Sequence, residues 1–180
     1  MRKLLPLIAI LFFCISISSC LQSDNVYDKY ADWRKENDAY MNQRLTEQNP
    51  NGTMRYMRIV PPWAPNVLVL MEWHNDTNLT KMNPMPLDNS TIGIKYEGHL
   101  IDSTLFDNSY SQKDSLYVTM PKANILGMRA ALPFMHIGDS VTMLIASGAA
   151  YGSYENGNIK PYSTLIFNVK LVDIYDLTIP

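Results

Sequence analysis

The chain has 180 residues, 47% of them hydrophobic and 18% charged, with 15 Lys and Arg against 17 Asp and Glu for a net charge of −2. That length holds one domain with extensions, and the apolar fraction excludes a disordered chain. Balanced charge excludes the basic footprint of a nucleic-acid binder, and two cysteines exclude a disulfide scaffold or a Cys-rich zinc site.

At the start of the chain, Arg2 and Lys3 precede an apolar run over 4–17 that contains Pro6. The run is too short for the roughly 20 residues that span a bilayer. It ends in Ile17-Ser18-Ser19-Cys20, which resembles the lipobox of bacterial lipoproteins. The resemblance implies cleavage before Cys20, lipidation of Cys20, and attachment to the membrane by multiple acyl chains. An ordinary secretory signal with a chance cysteine is the alternative. Cleavage would discard Cys14 and leave 13 basic against 17 acidic residues, a charge of −4. Leu21, rather than Asp, follows the cysteine, which favours an outer membrane as the address, with the domain facing the periplasm or the cell surface. The expected division is a signal peptide over 1–19, a tether and N-terminal helix over 20–53, and a folded domain over 54–180.

From 26 to 47 there is no Gly or Pro, and Val26, Tyr30, Trp33, Tyr40, Met41 and Leu45 recur at helical intervals. Asn49-Pro50-Asn51-Gly52 ends this helix. It is expected to pack on its own domain, with a stalk or a dimer through 26–47 as the second reading. Residues 54–60 and 66–73 read as strands on either side of Pro61-Pro62-Trp63-Ala64-Pro65. The stretch 75–90 reads as a loop. Three clearer strands follow, in which Ile92, Ile94, Tyr96 and Leu100, then Val141, Met143 and Ile145, then Leu165, Phe167, Val169 and Leu171 alternate with other side chains, Leu144 among these. Ile125, Met128 and Leu132 stand at helical spacing within 123–132, and Pro133 is expected to stop that helix. The order predicts an α+β fold, a curved antiparallel β-sheet wrapped around one short helix and preceded by the N-terminal helix.

Conventional catalytic motifs are absent. Gly138-Asp139-Ser140-Val141 has the outline of a nucleophile block, but His74, His99 and His136 all precede Ser140, and the block reads as a turn. The three histidines have no metal-ligand spacing. No metal and no cofactor is expected.

One constellation remains. Tyr96-Glu97-Gly98-His99-Leu100 followed by Leu105-Phe106-Asp107-Asn108-Ser109 resembles the Y-x-G-x-L…F-D-x-S signature of FKBP-type peptidyl-prolyl isomerases. In the same order come Ile125-Leu126-Gly127, Met135-His136-Ile137-Gly138-Asp139, Ala150-Tyr151-Gly152, Ile159-Lys160-Pro161 and the 164–171 ending. The resemblance covers 92–175 and implies an FKBP-like fold with a pocket built from Tyr96, Phe106, Asp107, Ile125, Tyr151 and Phe167, with Met128 and Ile159 binding substrate. Met128 stands where the family usually has Trp, and Asn124 where an aliphatic is common. The aromatic of the strand before the helix aligns with Ser115 or Leu116, near Tyr117. These departures predict a shallower pocket and weak binding of macrolide inhibitors. The implied activity is prolyl isomerisation of proline-containing exported polypeptides, by a protein held at the membrane through lipidated Cys20. A catalytically weak or inactive FKBP-fold chaperone or scaffold is the alternative.

Overall fold

The computed structural model describes residues 26–176, so the signal run and Cys20 lie outside the described residues. No helix among the described residues is long and apolar enough to cross a membrane.

A helical turn over 26–29 leads into α1, Ala31–Leu45. The helix lies against its own domain: Met41 packs with Tyr56, Leu70 and Leu144, flanked by Tyr40, Leu45 and Ile166. Its C-terminal end is tied to the sheet by ions. Glu47 lies 3.1 Å from Arg44 and 2.6 Å from Arg55, which also reaches Glu72 at 2.8 Å.

Seven strands follow: β1 Met57–Ile59, β2 Val69–Trp73, β3 Ile92–His99, β4 Leu105–Asn108, β5 Tyr117–Thr119, β6 Ser140–Ile145 and β7 Leu165–Ile174. They form one antiparallel sheet in the order β1-β2-β6-β7-β3-β4, and β5 pairs with the start of β3. Register carries the alternation across the sheet, with Met71 opposite Met143, Met143 opposite Phe167, and Gly98 opposite Phe167. One face therefore holds Met71, Ile94, Met143, Phe167 and Val169, all buried. Against it sits the helix α3, Leu126–Ala131, through Met128, Ala131 and Leu132. At Gly127 an added Cβ would run into the Ile145 side chain, so the glycine is what allows α3 to approach β6 this closely.

Several expected elements differ in extent. The strand expected over 54–60 contracts to β1, because Arg55 turns to Glu47 and Glu72 and Pro61 ends the pairing. Within 75–90 one helical turn forms, α2 Thr77–Thr80, capped by Asp76 accepting the Asn78 N–H at 2.9 Å. The helix expected over 123–132 contracts to α3, which ends at Ala131 ahead of Pro133. A 3-10 turn over Leu132–Phe134 accommodates it, since a proline near a helical start lacks only an N–H that would be unpaired there. Leu144, which falls among the outward residues of its strand, is 1% exposed because α1 covers that face.

The Gly138-Asp139 turn holds a buried polar knot. Asp139 accepts from Trp73 Nε1 at 3.1 Å, Asn75 Nδ2 at 3.0 Å, Thr80 Oγ1 at 2.6 Å and the His136 backbone N–H at 2.9 Å. Burial alone would push its carboxyl up, but these donors outweigh it and hold the group below its ordinary value.

Candidate active site

A cavity of about 220 Å³ opens between the start of α3 and the strands β3, β4, β5 and β7. Tyr96, Asp107, Tyr117 and Phe167 supply its sheet side, while Asn124, Ile125 and Met128 supply its helical side. Tyr151 reaches the rim from the loop after β6, and Ala123 completes the lining. Tyr96 and Phe167 share the buried face of the sheet because their strands pair with Tyr96 opposite Val169 and Gly98 opposite Phe167. Their rings lie 6.0 Å apart, and Tyr117 meets Tyr96 edge-on at 5.7 Å.

Of the expected site residues, the structure brings six to the cavity: Tyr96, Asp107, Ile125, Met128, Tyr151 and Phe167. Phe106 stands behind the wall, edge-on to Phe167 at 5.4 Å and 88°. Gly98 makes that contact possible, since an added Cβ would lie 2.6 Å from the Phe106 ring. Ile159 is buried in the core rather than on the lining. Of Ser115, Leu116 and Tyr117, it is Tyr117 that lines the cavity. Strand parity decides it, because Tyr117 pairs with Ile94 and so faces the same side as Tyr96. Met128 and Asn124 stand in the lining where the family resemblance led one to expect an aromatic and an aliphatic side chain.

The polar groups are few and positioned. Tyr96 Oη donates to Asp107 Oδ2 at 2.8 Å, and Asp107 Oδ1 accepts the Asn108 N–H at 2.8 Å. Burial and the hydrogen bond to Asp107 push the Tyr96 phenol well above its ordinary value, so it remains a donor throughout the neutral range. Asn124 Nδ2 donates to Met120 O at 2.7 Å and Thr119 Oγ1 at 3.2 Å, fixing the approach to α3. Ile125 caps α3, and among the described residues no acceptor takes its N–H. Among the described residues there is no group of three or more His, Cys, Asp or Glu placed to hold a metal ion.

Residues 83–172 match the FKBP-type peptidyl-prolyl cis-trans isomerase family. The chain belongs to that family. FkpA of Escherichia coli is 35% identical over 89 residues, covering 49% of this chain and 33% of that protein. FK506-binding protein 2 of Debaryomyces hansenii is 37% identical over 84 residues, covering 46% of this chain and 62% of that one. The chain thus spans about a third of the length of its FkpA relatives. The crystal structure of E. coli FkpA shares the fold at a TM-score of 0.67 and 22% identity, over 84% of this chain and 63% of that one. A peptidyl-prolyl cis-trans isomerase structure from Pseudomonas syringae does so at 0.59 and 20%, over 88% of this chain and all of that one. The FKBP match begins after α1, β1 and β2, which the family match does not include.

Proposed function

We propose that this protein is a membrane-anchored prolyl isomerase that assists folding of exported polypeptides, held through a lipidated Cys20. The supporting observation is the 220 Å³ cavity with Tyr96, Tyr117, Phe167 and Met128 around it and the Tyr96–Asp107 hydrogen bond at its edge. Rotation about an X–Pro bond faces a barrier of about 18–20 kcal/mol from amide resonance. Shortening tens of seconds to milliseconds needs a reduction of roughly 6 kcal/mol. No covalent step is required. The twisted amide has lost resonance, so its carbonyl is less polar than in the planar ground state. An apolar slot that excludes water stabilises the twisted form over the planar one, and that difference is the catalysis.

In this reading Tyr96, Met128 and Phe167 enclose the proline ring, and Phe106 holds Phe167 in place from behind. The Ile125 N–H and the Tyr151 hydroxyl take substrate carbonyls. Asp107 fixes Tyr96 through their hydrogen bond and sets the field at the carbonyl that twists. A protease-coupled assay on a chain beginning at Ser23 tests this. Phe106→Ala and Asp107→Ala are each expected to lower the rate at least about tenfold with circular dichroism unchanged. Equal rates for the parent and both variants would refute the assignment. The second reading, an FKBP-fold chaperone or scaffold without catalysis, draws on Asn124 and Met128 replacing apolar and aromatic lining. A folded parent with no rate above background, yet able to suppress aggregation of an unfolded client, would establish it.

A further inference from the structure

The rim of the cavity is tied to α1, a helix outside the matched FKBP segment. Asn37 is polar yet 1% exposed, and both ends of its amide are engaged. Its Oδ1 accepts the Thr164 backbone N–H at 2.7 Å, and its Nδ2 donates to Trp33 O at 2.7 Å. One turn earlier, Trp33 Nε1 donates to Ser163 Oγ at 2.9 Å, and the Ser163 hydroxyl donates to Lys160 O at 2.7 Å. The Lys160 ammonium lies 4.7 Å from the centre of the Trp33 ring. Tyr162 stands between these contacts at φ 64°, a conformation that a bulky residue keeps only where its surroundings impose it. Its N–H closes on Gly152 O at 2.7 Å, and Gly152 adjoins Tyr151 on the rim.

We propose that Asn37 is a positioning residue: α1 fixes the 160–164 segment, that segment fixes Gly152, and Gly152 fixes the Tyr151 hydroxyl at the cavity. The inference rests on the cavity being the substrate site. Simple packing of α1 would make Asn37 matter for stability and leave Tyr151 where it is. Positioning makes Tyr151 itself respond.

Fluorine NMR of the full chain labelled with fluorotyrosine separates the two, with Tyr151→Phe and Tyr117→Phe assigning the signals. In Asn37→Ala the Tyr151 resonance should shift or broaden while that of Tyr117, on the opposite wall, stays. In prolyl isomerisation, Asn37→Ala should raise KM about fivefold and leave kcat within about twofold, the effect of weakening one substrate hydrogen bond. An unmoved Tyr151 signal in folded Asn37→Ala overturns the proposal, even where activity falls. If Asn37→Ala does not fold, Trp33→Phe removes the Ser163 hydrogen bond while keeping an aromatic ring beneath Lys160, and is judged by the same two outcomes. A parent without isomerase activity would remove the functional reading, while the spectra would still decide the positioning.

Discussion

Asp139→Asn is the perturbation whose cost follows most directly from the hydrogen bonds of the buried knot. Asp139 is fully buried, with Thr80 and Asn75 on Oδ1 and Trp73 and the His136 N–H on Oδ2. An asparagine offers one acceptor oxygen and turns an NH2 toward the other two donors. The milder arrangement presents that NH2 to Thr80 and Asn75, because the Thr80 hydroxyl already has Thr77 O as a second acceptor at 3.4 Å. At about 1–3 kcal/mol per donor left unpaired in the interior, and with one of the two partly relieved, the loss is about 2–4 kcal/mol. For a domain of this size that is a fall in Tm of roughly 4–16 °C. The pH dependence has a defined sign. The folded carboxyl sits below its ordinary value of 3.8, so its contribution is complete above that pH and is lost as pH falls through the folded value. The stability gap between parent and variant should therefore be smaller at about pH 3 than at about pH 7. Urea unfolding of both proteins across that range measures it. A gap under about 0.5 kcal/mol at neutral pH, or one that does not shrink in acid, would show that the four donors do not depend on the Asp139 carboxylate.

Two further outcomes follow from the same geometry. Met128→Trp places an indole on the cavity floor and should tighten binding of a macrolide inhibitor about two- to tenfold, read by quenching of the new fluorophore; unchanged affinity in a folded variant would show that the floor does not contact the ligand. Sedimentation of a chain beginning at Ser23 should give a monomer, because α1 engages Trp33, Asn37 and Met41 within its own domain, and a mass of two chains would instead support a dimer through 26–47.

The parts of the fold legible in the sequence are those where burial is one-sided. The strands β3, β6 and β7 have a buried face against α3, and a period of two in Ile92-Ile94-Tyr96 or Leu165-Phe167-Val169 follows directly from it. Leu144 defeats that pattern because the sheet is covered on both faces near α1, and an apolar residue among outward positions marks the cover rather than an irregularity. The contraction of β1 was equally hidden. Its alternation continues through Met54 and Arg55, but pairing is set by Glu47 and Glu72, partners 8 and 17 residues from Arg55.

The site divides along the same physical line. Tyr96 and Asp107 stand 11 residues apart on the adjacent strands β3 and β4, and their side chains meet because register forces them together, so a local motif carries the geometry. Tyr117 could not be read that way, because its register against Ile94 is a pairing of β5 with β3 across the intervening β4, and no count along the chain gives it. Asn37 and Thr164 are 127 residues apart, and an asparagine in the middle of a charged helix carries no mark of burial. Only the three-dimensional path of the 160–164 segment brings it to a backbone N–H that would otherwise be unpaired. Of the residues that hold the cavity wall, Phe106 and Gly98 lie inside the local motif and were legible with it, whereas Asn37 lies outside every motif and only the folded chain brings it to the 160–164 segment.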